Sequence, residues 1–320
     1  GNGIEKDLIE ANKYYRSSAD KGNARAQCNF AFALQKGVGI QPDVALANHY
    51  YKLSADQGNA ISQYNYAFNL ENGNGIDKNM PEANKYYKMA ADQGNVPAQY
   101  NYGINLTKGI GIDKNIVEAN KYLKLAAEQN NQRAQYQYAL HLQKGNGCQK
   151  DTKLANEYLK KSADQGNPNA QFYYGYNLFN GNGIPKDTEE ANRYYKLAAD
   201  QGNSNSQCNL ACSYLNGMGL PKNIELANKY YKMAADSGNA VAQYNYGIHL
   251  MNGNGLQKDP KAAIEYLQKS AAAGNSSAQY CISLCYENGT CLPKNKELAA
   301  KYLKMSAAAG NKLALQRIKK

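Results

Sequence analysis

The sequence predicts an all-α chain, an α/α solenoid of helix-turn-helix repeats, on three observations. A Gly-x-Gly pair returns every 36 residues, at Gly37/Gly39, Gly73/Gly75, Gly109/Gly111, Gly145/Gly147, Gly181/Gly183, Gly217/Gly219 and Gly253/Gly255, with Gly1/Gly3 opening the series. A Gly-Asn pair keeps the same step at Gly22, Gly58, Gly94, Gly166, Gly202, Gly238, Gly274 and Gly310, and Asn130 stands in once. Between these markers lie two segments of roughly 14 residues, each with apolar and small residues at helical spacing. A fixed period of this size means stacked supersecondary units, none of which buries its apolar face alone.

In the repeat that follows Gly58, the first helix is expected over Ala60–Asn72 and the second over Met80–Gln93. Ala60, Tyr64, Tyr66, Ala67 and Leu70 supply the buried stripe of the first, and Ala83, Tyr86, Tyr87, Ala90 and Ala91 that of the second. Gly58 and Gly94 close helices through a left-handed residue, and the asparagines that follow them cap the next helix. The loop Gly73–Asn79 also ends on a capping residue. Pro42, Pro81 and Pro260 are placed in first helical turns.

Two columns never vary. An alanine recurs at Ala11, Ala47, Ala83, Ala119, Ala155, Ala191, Ala227, Ala263 and Ala299. Three residues on, a tyrosine recurs at Tyr14, Tyr50, Tyr86, Tyr122, Tyr158, Tyr194, Tyr230, Tyr266 and Tyr302. Packing explains both: a small residue allows close helix approach, and a large aromatic fills the space between pairs with its hydroxyl at the wet edge.

Assembled, the repeat reads A-N-K-Y-Y-K-x-A-A-D-Q-G-N-x-x-A-Q-Y-N-Y-G-x-x-L-x-x-G-x-G-I-x-K-N. This pattern resembles the Sel1-like repeat family, a branch of the tetratricopeptide-like solenoids. Ala83, Tyr86, Tyr87, Ala90, Ala91, Gly94, Ala98, Gln99, Gly103, Gly109 and Gly111 carry the match. The resemblance implies a right-handed superhelix whose first helices line a concave surface, and an adaptor rather than an enzyme. On this frame, residues 1–22 form a partial leading repeat, 23–310 eight full repeats, and 311–320 the start of a terminal capping helix. Because Gly1 opens in mid-repeat, the chain reads as a fragment of a longer protein. Two departures stand out. The last loop has Cys291 at the second glycine position and is expected to be less regular, and no cysteine falls on a second helix, unlike the disulfide-bridged secreted branch of the family.

The seven cysteines are scattered or lie in i, i+4 pairs (Cys208/Cys212, Cys281/Cys285), which fits a reducing compartment and a cytoplasmic protein. No apolar run reaches the length of a membrane span. The net charge of +11 does not make nucleic acid the expected partner. Lys52, Lys88, Lys124, Lys196 and Lys232 each have an acid four residues on, an outer-face pattern worth about 0.2–0.5 kcal/mol per pair. The loop lysines Lys78, Lys114, Lys150, Lys186, Lys222, Lys258 and Lys294 are less obviously paired and form a candidate basic rim that would steer acidic partners.

Nothing in the sequence assembles a catalytic, metal or cofactor site. The three histidines, His49, His141 and His249, lie in different repeats, and no glycine loop ends in the Gly-Lys-Ser/Thr of a phosphate cradle. Candidate binding residues are two first-helix columns. One comprises Asn65, Asn101, Gln137, Tyr173, Asn209 and Asn245, and the other Asn69, Asn105, His141, Asn177 and His249. Asparagine is a poor mid-helix residue, so its repeated use calls for a compensating role. A ladder of amides would hold the main chain of an extended partner segment; the bland alternative is that the amides bond one another. The expected function is a protein-interaction scaffold binding a partner segment in that groove. The alternatives are a structural component packing on an acidic assembly through the basic rim, or a regulatory array attached to a catalytic domain such as a kinase.

Overall fold

The computed structural model describes residues 7–318, and among them it has eighteen helices and no strand. The chain divides into two compact units, residues 1–162 and 163–320. Unit 1 contains α1 (Leu8–Asp20), α2 (Ala24–Lys36), α3 (Val44–Asp56), α4 (Ala60–Asn72), α5 (Met80–Asp92), α6 (Val96–Lys108), α7 (Ile116–Glu128) and α8 (Gln132–Lys144). The division falls in the last turn of α9 (Thr152–Asp164). Unit 2 contains α10 (Pro168–Asn180), α11 (Thr188–Asp200), α12 (Ser204–Asn216), α13 (Ile224–Asp236), α14 (Ala240–Asn252), α15 (Pro260–Ala272), α16 (Ser276–Asn288), α17 (Lys296–Ala308) and α18 (Lys312–Ile318). In each unit every helix packs on the next along the chain, and the larger shared face is inside a repeat, as in α4 on α5 or α12 on α13.

The helix ends follow from the marker residues. Asn59 caps α4 by accepting from the Ser62 N–H at 3.0 Å, and Asn79 caps α5 through the Glu82 N–H at 3.1 Å. First helices stop at a left-handed glycine such as Gly73, φ 73°. The second loop glycine is held by space as well as by φ: a Cβ on Gly75 would stand 2.9 Å from the Val44 backbone. Pro81 and Pro260 sit at the first helical turn as expected, whereas Pro42 lies just before the cap Asp43, outside the helix. The expected irregularity of the last loop is not observed. Cys291 takes φ 64°, the same left-handed value as its glycine counterparts, so the loop keeps its shape at the cost of a strained residue.

The invariant alanines from Ala47 to Ala263 are fully buried. The tyrosines three residues on are buried from Tyr50 to Tyr230; those up to Tyr194 meet the preceding first helix edge-on, as Tyr66 and Tyr86 do with centroids 5.0 Å apart, while Tyr230 stacks on Tyr214. Tyr14, with no first helix before it among the described residues, is exposed. The hydroxyls find a partner that the spacing alone did not predict. Tyr86 donates to Asp56 and Tyr122 to Asp92, each at 2.5 Å, and Tyr266 donates to Asp236 at 2.7 Å. These acids also take the expected i+4 lysine, Lys52 and Lys88 each at 2.7 Å. One carboxylate therefore ties a lysine in its own repeat to a tyrosine in the next.

Candidate binding face on the first helices

The two candidate columns separate once the helices are packed. Asn69, Asn105, His141, Asn177 and His249 are between 0% and 7% exposed, so the expectation that they offer side chains to a groove is corrected. Asn69, Asn105, His141 and His249 point at the second helix of the preceding repeat. Asn69 donates to Asn48 Oδ1 at 2.7 Å and Asn105 to Asn84 Oδ1 at 2.8 Å. His141 Nδ1 lies 2.6 Å from Asn120 Oδ1, and His249 Nδ1 2.6 Å from Asn228 Oδ1. Each of these second-helix asparagines then donates to a loop carbonyl: Asn48 to Asn74 O and Asn84 to Ile110 O, both at 2.7 Å. Since Asn120 and Asn228 spend their N–H groups on Asn146 O and Asn254 O, their oxygens accept, which places the imidazole proton on Nδ1. Burial, then the Lys144 charge, holds His141 below the ordinary histidine value of 6.5, and burial does the same for His249.

The other column, Asn65, Asn101, Gln137, Tyr173, Asn209 and Asn245, is half-buried. Asn101 donates to the Tyr87 hydroxyl at 3.2 Å, and that hydroxyl donates to Glu71 at 2.5 Å. Asn209 is hydrogen-bonded to Tyr195, whose phenol burial pushes above its ordinary range. Beside this column runs a stripe of large apolar residues missing from the sequence reading. In unit 1 it includes Phe32 (49% exposed) and Phe68 (39%), with Ile104 and Leu140 half-buried; in unit 2 it includes Tyr176 (43%) and Ile248. Its signal was present in the repeat as an apolar residue three positions after each Asn of the half-buried column. Overlap with a buried-looking helix pattern hid it.

Unit 2 also has a pocket of about 140 Å³ on this face, lined by Tyr176, Phe179, Tyr195, Asn209, Cys212 and Met218. The rings of Phe172 and Phe179 stand 6.2 and 6.3 Å from Tyr195. The rim lysines Lys78, Lys114, Lys150, Lys186, Lys222, Lys258 and Lys294 are all exposed, and Lys186 Nζ lies 5.9 Å from the centroid of Phe179. Among the described residues no three His, Cys, Asp or Glu side chains converge as metal ligands, and no helix is long and apolar enough to cross a membrane.

The Sel1 repeat model matches nine consecutive segments, residues 1–23 and then every 36 residues from 24–59 to 276–311. The chain belongs to the Sel1 repeat family. Two solved Sel1-type structures are similar to it. One is c5321, a protective antigen of uropathogenic Escherichia coli with an SLR fold: 29% identity, TM-score 0.82, over 95% of this chain and 65% of that one. The other is a Sel1 repeat protein from Oxalobacter formigenes: 25% identity, TM-score 0.73, over 99% of this chain and 94% of that one. This Sel1 chain thus spans just under two thirds of the E. coli antigen. A comparison with curated proteins returned no match.

Proposed function

We propose that this Sel1 repeat chain is a non-enzymatic protein-interaction scaffold that holds an extended partner segment along its first-helix face. The observation that carries this reading is the pairing, on the first-helix face of each unit, of half-buried amides with large apolar side chains that packing leaves uncovered, Asn65 with exposed Phe68 in unit 1 and Asn245 with half-buried Ile248 in unit 2. Single exposed apolar residues need no explanation, but a stripe repeated in register marks a contact surface. Amides beside it supply donors and acceptors for a main chain, while the apolar residues take side chains. Burial removes Asn69, Asn105, His141, Asn177 and His249 from this surface, and the face is narrower and more apolar than the sequence alone suggested.

The test is retention of peptides from a random displayed library, measured at low and high salt. Raising salt from about 0.1 to about 1 M shortens the Debye length from about 10 to about 3 Å. Contacts of the proposed kind keep most of their affinity through that change, and the variant Asn65→Ala/Asn101→Ala loses retention while melting unchanged. Binding that collapses with salt and ignores this variant would transfer the function to the basic rim, which acidic assemblies would occupy through Lys78, Lys114 and Lys150.

A further inference from the structure

The stripe residue three positions after the half-buried column is large and apolar in every repeat but one: Phe32, Phe68, Ile104, Leu140, Tyr176, Ile248 and Leu284, against Cys212. The pocket lies where that one side chain is small. Tyr176, Phe179 and Tyr195 wall it, Met218 and Cys212 complete the apolar lining, and Asn180 and Asn209 supply amides. Its volume of about 140 Å³ is close to that of an apolar cavity that admits benzene, about 150 Å³. No carboxylate is among the lining residues, and the cation of Lys186 rests over the Phe179 ring.

Resting on the interaction reading above, we infer that this pocket is the anchor point of the face: it takes one leucine- to phenylalanine-sized side chain of the partner segment, with an acidic residue beside it meeting Lys186. The incoming side chain fills the volume that Cys212 vacates. Its main chain passes Asn209, whose amide stands in the pocket wall. The arrangement concentrates binding at the one repeat where the stripe is interrupted, as interface energies concentrate where an apolar anchor is fully desolvated. The positive rim and the absence of lining acids select the charge of the neighbouring residue.

A second irregularity sits next to this site. The Asn192 amide donates to Met218 O at 2.7 Å, so it is one hydrogen bond from the lining. Its Oδ1 has no protein partner, because Ser213 occupies the position where Asn69, Asn105, His141 and His249 reach their asparagines, and Ser213 Oγ is likewise unpartnered. Both residues are nearly or fully buried. The polar layer behind the pocket therefore lacks its cross-helix bond in this repeat, which allows its walls to adjust to an occupant.

The experiment uses pools of short peptides with random flanks and a fixed central Leu, Phe, Ala or Lys, each made with an adjacent Asp or Asn. The protein, Cys212→Phe and Cys212→Ile are compared, with melting run on all three; the isoleucine variant places at this position the residue that Ile248 provides in the next repeat. The unaltered protein should bind Leu and Phe pools at least about tenfold more tightly than Ala or Lys pools, a difference of about 1.4 kcal/mol. Asp neighbours should be preferred, and Lys186→Gln should remove that preference. Filling the pocket should erase the Leu and Phe advantage without lowering the melting temperature. If Cys212→Ile folds and binds the Leu and Phe pools as well as the unaltered protein, the anchor is wrong while the interaction reading stands. If the unaltered protein retains none of the pools, both fail.

Discussion

Asn101 and Asn105 stand one helical turn apart and meet opposite environments. Asn105 is buried and donates to Asn84 Oδ1, so Asn105→Ala leaves a buried acceptor unpaired and should destabilise by about 1–3 kcal/mol. Asn101 is half-buried, and Asn101→Ala should change stability by less than about 0.5 kcal/mol, since alanine's better helix propensity offsets the weak bond to Tyr87. Denaturant melts of the two single variants check this pair, and equal effects would contradict the division of the columns. Tyr122 is buried edge-on against Tyr102 and donates to Asp92, so Tyr122→Ala should cost about 3–5 kcal/mol and Tyr122→Phe only about 1 kcal/mol. The helical position of both Asn columns was legible in the sequence. Which one faces inward was not, because asparagine reads as polar whether it meets water or another amide. A partial signal was nevertheless available: where the asparagine after the invariant alanine gives way to Ile264, the column 21 residues on gives way to Cys285, although Ala33 and Ser213 stand opposite Asn12 and Asn192.

At the scale of the helix pair, a further amide ladder sets register. Gln27, Gln63 and Gln99 each donate to an alanine carbonyl of the preceding helix, at 3.1, 3.0 and 3.2 Å. Their oxygens accept from Gln57, Gln93 and Gln129 of the next second helix, at 2.7, 2.7 and 2.9 Å. In unit 2 Gln201 still donates to Gln171 at 2.9 Å, but the next donors change to Ser237 and Ala273, and Gln207 Oε1 and Gln243 Oε1 are left without a partner. Ala273→Gln should restore the bond to Gln243 and stabilise by about 0.5–1.5 kcal/mol, read as a rise in the denaturation midpoint. Helix boundaries, caps and turns were legible almost to the residue because glycine and asparagine mark them chemically. The pocket was not, since its cause is an absence: Cys212 reads as an ordinary small apolar residue until the stripe around it is known to be exposed.

Over the whole molecule, the two imidazoles in the amide layer give stability a pH dependence. Both are held below 6.5 in the folded state, so above pH 6.5 folded and unfolded forms are alike neutral and the histidines cost nothing. As pH falls below 6.5 the unfolded chain takes up protons that the folded chain refuses, and stability drops until the folded values are passed. The Asp56, Asp92 and Asp236 carboxyls act lower still: burial raises them, but bonds from lysine and tyrosine outweigh it, leaving them below 3.8, so their contribution is lost only as pH falls through that region. His141→Asn/His249→Asn, which copies Asn69 and Asn105, should flatten the first of these two slopes and leave the second; an unchanged slope below pH 6.5 would refute the assignment. The repeat frame, legible from the period alone, supplies the scaffold for these effects, while the use of its surface depends on which residues the packing leaves uncovered.

The claim that the uncovered first-helix face exists to bind is tested most directly by measuring melting temperature and peptide affinity together on Asn65→Ala/Asn101→Ala/Asn209→Ala, with peptides selected on the unaltered protein. The account predicts unchanged melting and an affinity reduced about tenfold or more, a loss of at least about 1.4 kcal/mol. A variant that melts early yet binds these peptides as tightly as before would contradict it, by showing that this column, like its buried neighbour, serves the fold.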